Sequence, residues 1–111
     1  VRLEQIVVDS NDPARLVRFW AELLGGEPVE RAHGWAHVDP PEGPRMSFQP
    51  VPERKDVKNR LHLDFAVDDI EAAVVKAVNL GASREGLVHT DEKGSFQVMR
   101  DPEGNEFCFV R

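Results

Sequence analysis

At 111 residues, with 41% hydrophobic and 31% charged side chains, the chain is long enough to bury one real core and has the balance of a water-soluble globular protein. A net charge of −6 argues against a phosphate-binding surface for nucleic acid, and no run of about 18 apolar residues offers a membrane span. The single cysteine, Cys108, excludes an internal disulfide. With no basic-then-apolar leader at the start, it points to a reducing cytoplasm.

Residues 3–8 are rich in apolar and β-branched side chains and predict a strand. Asp12-Pro13 then opens a helix, because aspartate caps well and a proline at the first position gives up no needed N–H. Leu16, Phe19, Trp20, Leu23 and Leu24 recur at helical spacing, and Gly25-Gly26 stops the run. Residues 27–31, 35–39 and 45–49 predict three short strands, separated by turn signals at His33-Gly34 and at 40–44. A polar stretch with two prolines, 50–59, predicts a linker. Residues 60–67 predict the next strand. Asp68 with Glu71 three residues on resembles a capping box, and Ile70, Ala73, Val74, Ala77 and Val78 form a buried stripe that ends at Gly81. Strands at 83–89, 95–100 and 105–110 follow, with turns at 91–94 and 101–104.

The two halves repeat one another. Gln5-Ile-Val-Val-Asp-Ser-Asn-Asp12 aligns with His62-Leu-Asp-Phe-Ala-Val-Asp-Asp69, and each copy runs through a helical pattern to Leu-Gly, at Leu24-Gly25 and Leu80-Gly81. A period near half the length means two copies of one unit rather than a solenoid. The expected organisation is one domain over 1–111, with module 1 at about 1–50, a linker at about 51–59 and module 2 at about 60–111, each module ordered βαβββ.

Strand parity locates a candidate site. Side chains alternate between faces, so Leu61, Leu63, Phe65 and Val67 define an apolar face, and Arg60, His62, Asp64 and Ala66 the opposite one. A polar row is costly to bury without partners and is expected to face a wet cleft. The last strand sends Phe107 and Phe109 one way and Glu106, Cys108 and Val110 the other. In the first strand Gln5 and Val7 fall on the cleft side. Gln5, His62, Glu106 and Cys108 are therefore expected on one concave surface.

The chain resembles the vicinal oxygen chelate superfamily, the glyoxalase, bleomycin-resistance and extradiol-dioxygenase group, and looks most like the glyoxalase-like proteins of actinobacteria. The likeness is carried by Asp-Pro-Ala-Arg-Leu-Val-Arg-Phe-Trp-Ala-Glu-Leu-Leu-Gly at 12–25, Lys-Asn-Arg-Leu-His-Leu-Asp at 58–64 and Asp-Pro-Glu-Gly-Asn-Glu-Phe-Cys-Phe at 101–109. It implies an α+β fold in which the two βαβββ modules form a curved, eight-stranded half-barrel, and it implies a homodimer, for which an exposed sheet edge gives a physical reason. In metal-using members each repeat supplies two ligands to a divalent ion. Gln5 and His62 fall on two of those positions. Cys108 stands where the resemblance predicts a glutamate, and the strand at 45–49 holds no glutamate, Ser47 and Gln49 being its nearest polar candidates. Mg²⁺ and Mn²⁺ favour hard oxygen ligands, so a divalent metal cofactor is disfavoured, and Gln5 and His62 remain as a partial set. Gln5, His62 and Cys108 together offer N and S donors of the kind Zn²⁺ accepts.

Each candidate has a plainer alternative. His62 can act as general base, since histidine titrates near about 6.5, or can be a structural histidine bonded to Asp64. Glu106 is a candidate proton acceptor or one half of a salt bridge with Arg60 or Lys58. Cys108 is expected to be an inert small hydrophobe, because a reactive thiolate needs an adjacent cation. Trp35 and His37 share a face and line a ligand pocket or pack the core. Lys58-Asn59-Arg60 enters the cleft strand and can bind an anionic group. The run 53–56 reads as solvated linker. Two functions follow: a lyase or oxidoreductase of the glyoxalase or dioxygenase type acting on a small oxygenated molecule, with His62 and Glu106 as the catalytic pair, or a metal-free protein that binds a small organic molecule as resistance-type members do.

Overall fold

The computed structural model describes all residues, 1–111. The chain divides into two units, Val1–Arg54 and Lys55–Arg111. The division falls in the stretch where two prolines and a polar composition predicted a linker.

In the first unit, β1 (Gln5–Ser10) leads into α1 (Pro13–Leu24), followed by β2 (Val29–Glu30), β3 (Ala36–Val38) and β4 (Arg45–Pro50). The sheet order is β1-β4-β3-β2, with β1 parallel to β4 and the other pairs antiparallel. Asp12 caps α1 by accepting from the Arg15 N–H, and Pro13 occupies the first turn as expected. The apolar stripe of α1 buries Leu16, Val17, Phe19 and Trp20, and β3 and β4 bury Ala36, Val38, Met46 and Phe48. β2 is shorter than the expected 27–31: Pro28 has no N–H to give a ladder, and both residues of this edge strand are exposed.

The second unit repeats the order. β5 (Leu63–Ala66), α2 (Ile70–Asn79), β6 (Ser83–Asp91), β7 (Gly94–Arg100) and β8 (Glu106–Val110) build a sheet of order β5-β8-β7-β6. Again the first strand runs parallel to the last, and the rest are antiparallel. Each unit is thus an α+β module with a four-stranded sheet, matching the expected βαβββ pattern. α2 buries Ile70, Val74 and Ala77, and the sheet buries Met99, Phe107 and Phe109. Phe107 meets Phe65 and Phe109 edge-on, with ring centres 6.0 and 5.4 Å away, an arrangement aromatic quadrupoles favour.

Two local expectations need correction. The α2 cap is Asp69, whose carboxylate accepts from the Ala72 N–H, so the helix starts one residue later than a box built on Asp68 requires. Glu71 instead pairs with Arg84 at 2.5 Å. β5 begins at Leu63 rather than at residue 60, and just ahead of it the Asn59 N–H is taken by the Glu106 carboxylate. The β6–β7 connection is a tight hairpin. Gly94 has φ of 140°, and an added Cβ would strike the Arg111 carbonyl oxygen, so this corner requires glycine. No helix is long and apolar enough to cross a membrane.

Candidate functional site in the second unit

Phe107 and Phe109 turn toward the buried side of β8, which leaves Glu106, Cys108 and Val110 on the other. The register carries that face across the sheet. On β7, Phe96 lies opposite Val110, Val98 opposite Cys108 and Arg100 opposite Glu106. On β5, Asp64 lies opposite Cys108. These residues, with His62, Glu85 and the segment Lys55, Asp56, Lys58 and Asn59, line a cleft of about 750 Å³. That volume suits a small organic ligand. Phe96, Val98 and Val110 supply an apolar surface, and Phe96 is backed by the His89 ring at 5.0 Å.

The polar part of the cleft holds two separate groups. The first is a charge network around Glu106, which is only 8% exposed. Its carboxylate accepts from Lys55 Nζ at 2.9 Å and from the Asn59 N–H at 3.1 Å. Arg100 stands 3.8 Å away and forks onto Glu85 with two bonds of 3.0 Å. Burial pushes the Glu106 carboxyl up, but the bonds from Lys55, from Asn59 and from its own backbone outweigh it and hold the group below its ordinary range. Such a carboxylate is a firm anion with both oxygens engaged. It anchors the segment ahead of β5, and its expected role as proton acceptor loses its geometric support. Its ion-pair partner is Lys55, not Arg60 or Lys58, so the run 53–56 is not merely solvated: the Lys55 side chain is only 16% exposed.

The second group is His62, Asp64 and Cys108. Their donor atoms all lie within 4.8 Å of one another, with His62 Nε2 3.4 Å from Asp64 Oδ1. Both of these side chains are about half exposed, at 54% and 53%, while Cys108 is buried. Burial raises the Cys108 pKa, and the Asp64 charge and hydrogen bond raise it further, so the thiol is protonated and is not an activated nucleophile. Asp64 thereby joins His62 on one side and Cys108 on the other.

The remaining candidates lie elsewhere. Arg60 is exposed and does not line the cleft, unlike its neighbours Asn59 and His62. Gln5 and Trp35 line a smaller pocket of about 320 Å³ in the first unit, with Arg31, Ala32 and His33. There the Arg31 guanidinium sits 5.8 Å from the Trp35 ring centre. Gln5 Oε1 accepts from the Ser47 hydroxyl at 2.5 Å, and Ser47 is fully buried. That amide oxygen is committed within the protein, and neither Ser47 nor Cys108 supplies the missing carboxylate, so the residues do not fit a hard divalent ion of the Mg²⁺ type. His37 lies on β3, 3.8 Å from Asp39 and with 11% of its side chain exposed. Burial, Arg45 and Arg31 lower its pKa against the pull of Asp39.

Phe96, Val98, Arg100 and Glu85 were not among the residues expected at the site. Carrying the alternation of β8 onto its neighbour would have found the three on β7. Lys55 had no such signal, since it lies 51 residues from Glu106.

A model of the glyoxalase-like domain matches residues 5–110. The chain belongs to that family. Among solved structures of similar fold, a glyoxalase/bleomycin resistance protein/dioxygenase family enzyme from Burkholderia phytofirmans PsJN is 18% identical, with 96% of this chain and 95% of that one covered and a TM-score of 0.80. A glyoxalase-related enzyme from Fulvimarina pelagi is 16% identical, covering 98% and 86%, with a TM-score of 0.77. A member of the same superfamily from Sphaerobacter thermophilus is 16% identical, covering 99% and 96%, with a TM-score of 0.74. Identities this low carry the fold and not the reaction. No curated protein matches the chain.

Proposed function

We propose that this glyoxalase-like domain binds a small organic molecule, with a flat apolar body and a polar end, in the cleft of its second unit. The observation that carries this reading is the joining of one apolar surface, Phe96, Val98 and Val110, to a convergent polar set in a single cleft of about 750 Å³. Ligand sites are commonly built this way, with apolar contact supplying affinity and a few polar groups fixing orientation. Binding of this kind needs no complete metal-ligand set, and the positions that the resemblance reserves for glutamate hold none.

A catalytic reading has one specific support. His62 is half exposed beside Asp64, a placement in which a carboxylate orients an imidazole, as at general-base sites. On this reading His62 takes a proton from a bound substrate, and Glu106 keeps the wall of the cleft in place.

Calorimetric titration of the full chain with monocyclic aromatic compounds, phenol and benzoate first, tests the proposal. Binding is expected to be saturable at one site. Phe96→Ala should weaken it about tenfold, roughly 1.4 kcal/mol, and Trp35→Ala in the other pocket should leave it unchanged. Absence of binding across the panel, or dependence on Trp35 instead of Phe96, would sink the reading. If a bound compound is also converted, loss of turnover with retained binding in His62→Ala would identify the base.

A further inference from the structure

We infer that residues 55–59 are a strap that closes one side of the cleft, and that the Glu106 carboxylate is the latch through which the strap opens to admit a ligand. Gating rests on the reading of the cleft as a ligand site and adds to it a way in.

No helix or strand contains residues 55–61, and no backbone-to-backbone hydrogen bond reaches them. The chain is fixed on either side of this stretch. Asn11 Nδ2 donates to the Val51 and Glu53 carbonyls at 2.9 and 2.8 Å, and β5 begins at Leu63. Between those points Lys55, Asp56, Lys58 and Asn59 line the cleft. Val57 and Leu61 are exposed and give the segment no apolar anchor. A stretch with few buried apolar contacts and no ladder belongs to the low-stability end of a fold.

Two polar ties hold the strap, and both end on one side chain. Lys55 Nζ donates to Glu106 Oε1 at 2.9 Å and the Asn59 N–H to Oε2 at 3.1 Å. One anion therefore fastens both ends of the strap. A buried carboxylate left without a partner is costly, and Glu106 is buried. Arg100 lowers that cost. Its Nη1 stands 3.8 Å from Oε1, the same oxygen that Lys55 holds, while Nε and Nη2 fork onto Glu85. A short shift of Arg100 puts a second cation where Lys55 leaves, so opening exchanges partners on Glu106 instead of stripping it. Mobile segments of this kind let a ligand enter and then shut it off from water.

Cys108 is a built-in reporter, since it is buried and lines the same cleft. Alkylation of the full chain by iodoacetamide, a small neutral reagent, reads access to it with no ligand present. Lys55→Met, Glu106→Gln and Asn59→Pro, the last removing the N–H, each take away a charge-assisted bond of the latch and should each speed alkylation by at least about tenfold. Charge alone shifts the thiol in opposite senses, making the thiolate scarcer in Lys55→Met and commoner in Glu106→Gln. Acceleration in both therefore reports opening. Asp69→Ala, which weakens the α2 cap instead of the latch, should leave the rate unchanged. Circular dichroism melting confirms folding of each variant, and Lys55→Met, whose charge effect opposes the expected change, carries the test if the others do not fold. Unchanged or slower alkylation in Lys55→Met would overturn the strap, and so would equal acceleration in Asp69→Ala. If no aromatic compound binds while the alkylation pattern holds, the ligand reading fails and the latch stands.

Discussion

Glu106 shows how the partners of a side chain decide its chemistry. A carboxylate on the cleft face of a strand reads as an acid or base until its contacts are known. Here Lys55 and the Asn59 N–H take both oxygens, and the group becomes a tether between the chain ahead of β5 and the wall of the cleft. Glu106→Gln keeps the shape but removes the charge, leaving Lys55 with a weaker acceptor. The expected cost is about 1.5–3 kcal/mol, the usual scale for a hydrogen bond to a charged group. Denaturant unfolding at pH 7 measures it, and Lys55→Met should lose a similar amount with little further loss in the double variant. Independent, additive losses would show that the pair does not act as a unit. Parity along β8 was enough to put Glu106 and Cys108 on one face. The partner of each was not legible, because Lys55 and Asp64 reach them from distant stretches of chain.

At the scale of elements, the helices were the most readable parts. Asp12-Pro13 and the stripe from Leu16 to Leu24 carry their own start, period and stop, and α1 spans Pro13–Leu24 accordingly. α2 was legible in extent but not in its cap, since two consecutive aspartates offer the same chemistry and only the backbone turn selects one. Asp69 accepts from Ala72, so Asp69→Ala should cost about 1 kcal/mol of stability, while Asp68→Ala should cost no more than about 0.5 kcal/mol, as for an exposed substitution without a specific contact. Thermal melts of the two variants decide it, and equal losses would contradict the assignment. The turn after β7 was equally plain in sequence. Asp101 accepts from the Glu103 and Asn105 N–H groups, a local device of the Asp-Pro-x-Gly type. Strand ends were the poorest readings. β2 and β5 are each shorter than their sequence patterns, and in β2 the reason is Pro28, which has no N–H for a ladder.

For the whole molecule, titration sets the range of pH over which the fold is most stable. The folded pKa of Glu106 lies below its ordinary 4.5 and that of His37 below 6.5. In both cases the unfolded chain holds more protons in the acid range, so stability falls as pH drops, first through the range below 6.5 and then below 4.5. The Cys108 pKa lies above its ordinary 9.0. There the folded chain keeps the proton longer, and stability falls as pH rises past that value. The melting temperature should therefore be highest between about pH 6.5 and 9 and decline on both sides. Cys108→Ala should flatten the alkaline limb alone. A melting temperature that kept rising from pH 9 to 10 in the native chain would contradict the sign.

The sequence by itself determined the two-module plan, the helices and the alternation that puts Glu106 and Cys108 on one face of β8. Those follow from short-range rules, period and capping, that a linear pattern records in full. Only the tertiary structure decided which polar groups meet. Lys55 satisfies Glu106, Ser47 satisfies Gln5, and Asp64 stands between His62 and Cys108. Such pairings depend on register between strands and on where a linker doubles back, and local composition carries no trace of either.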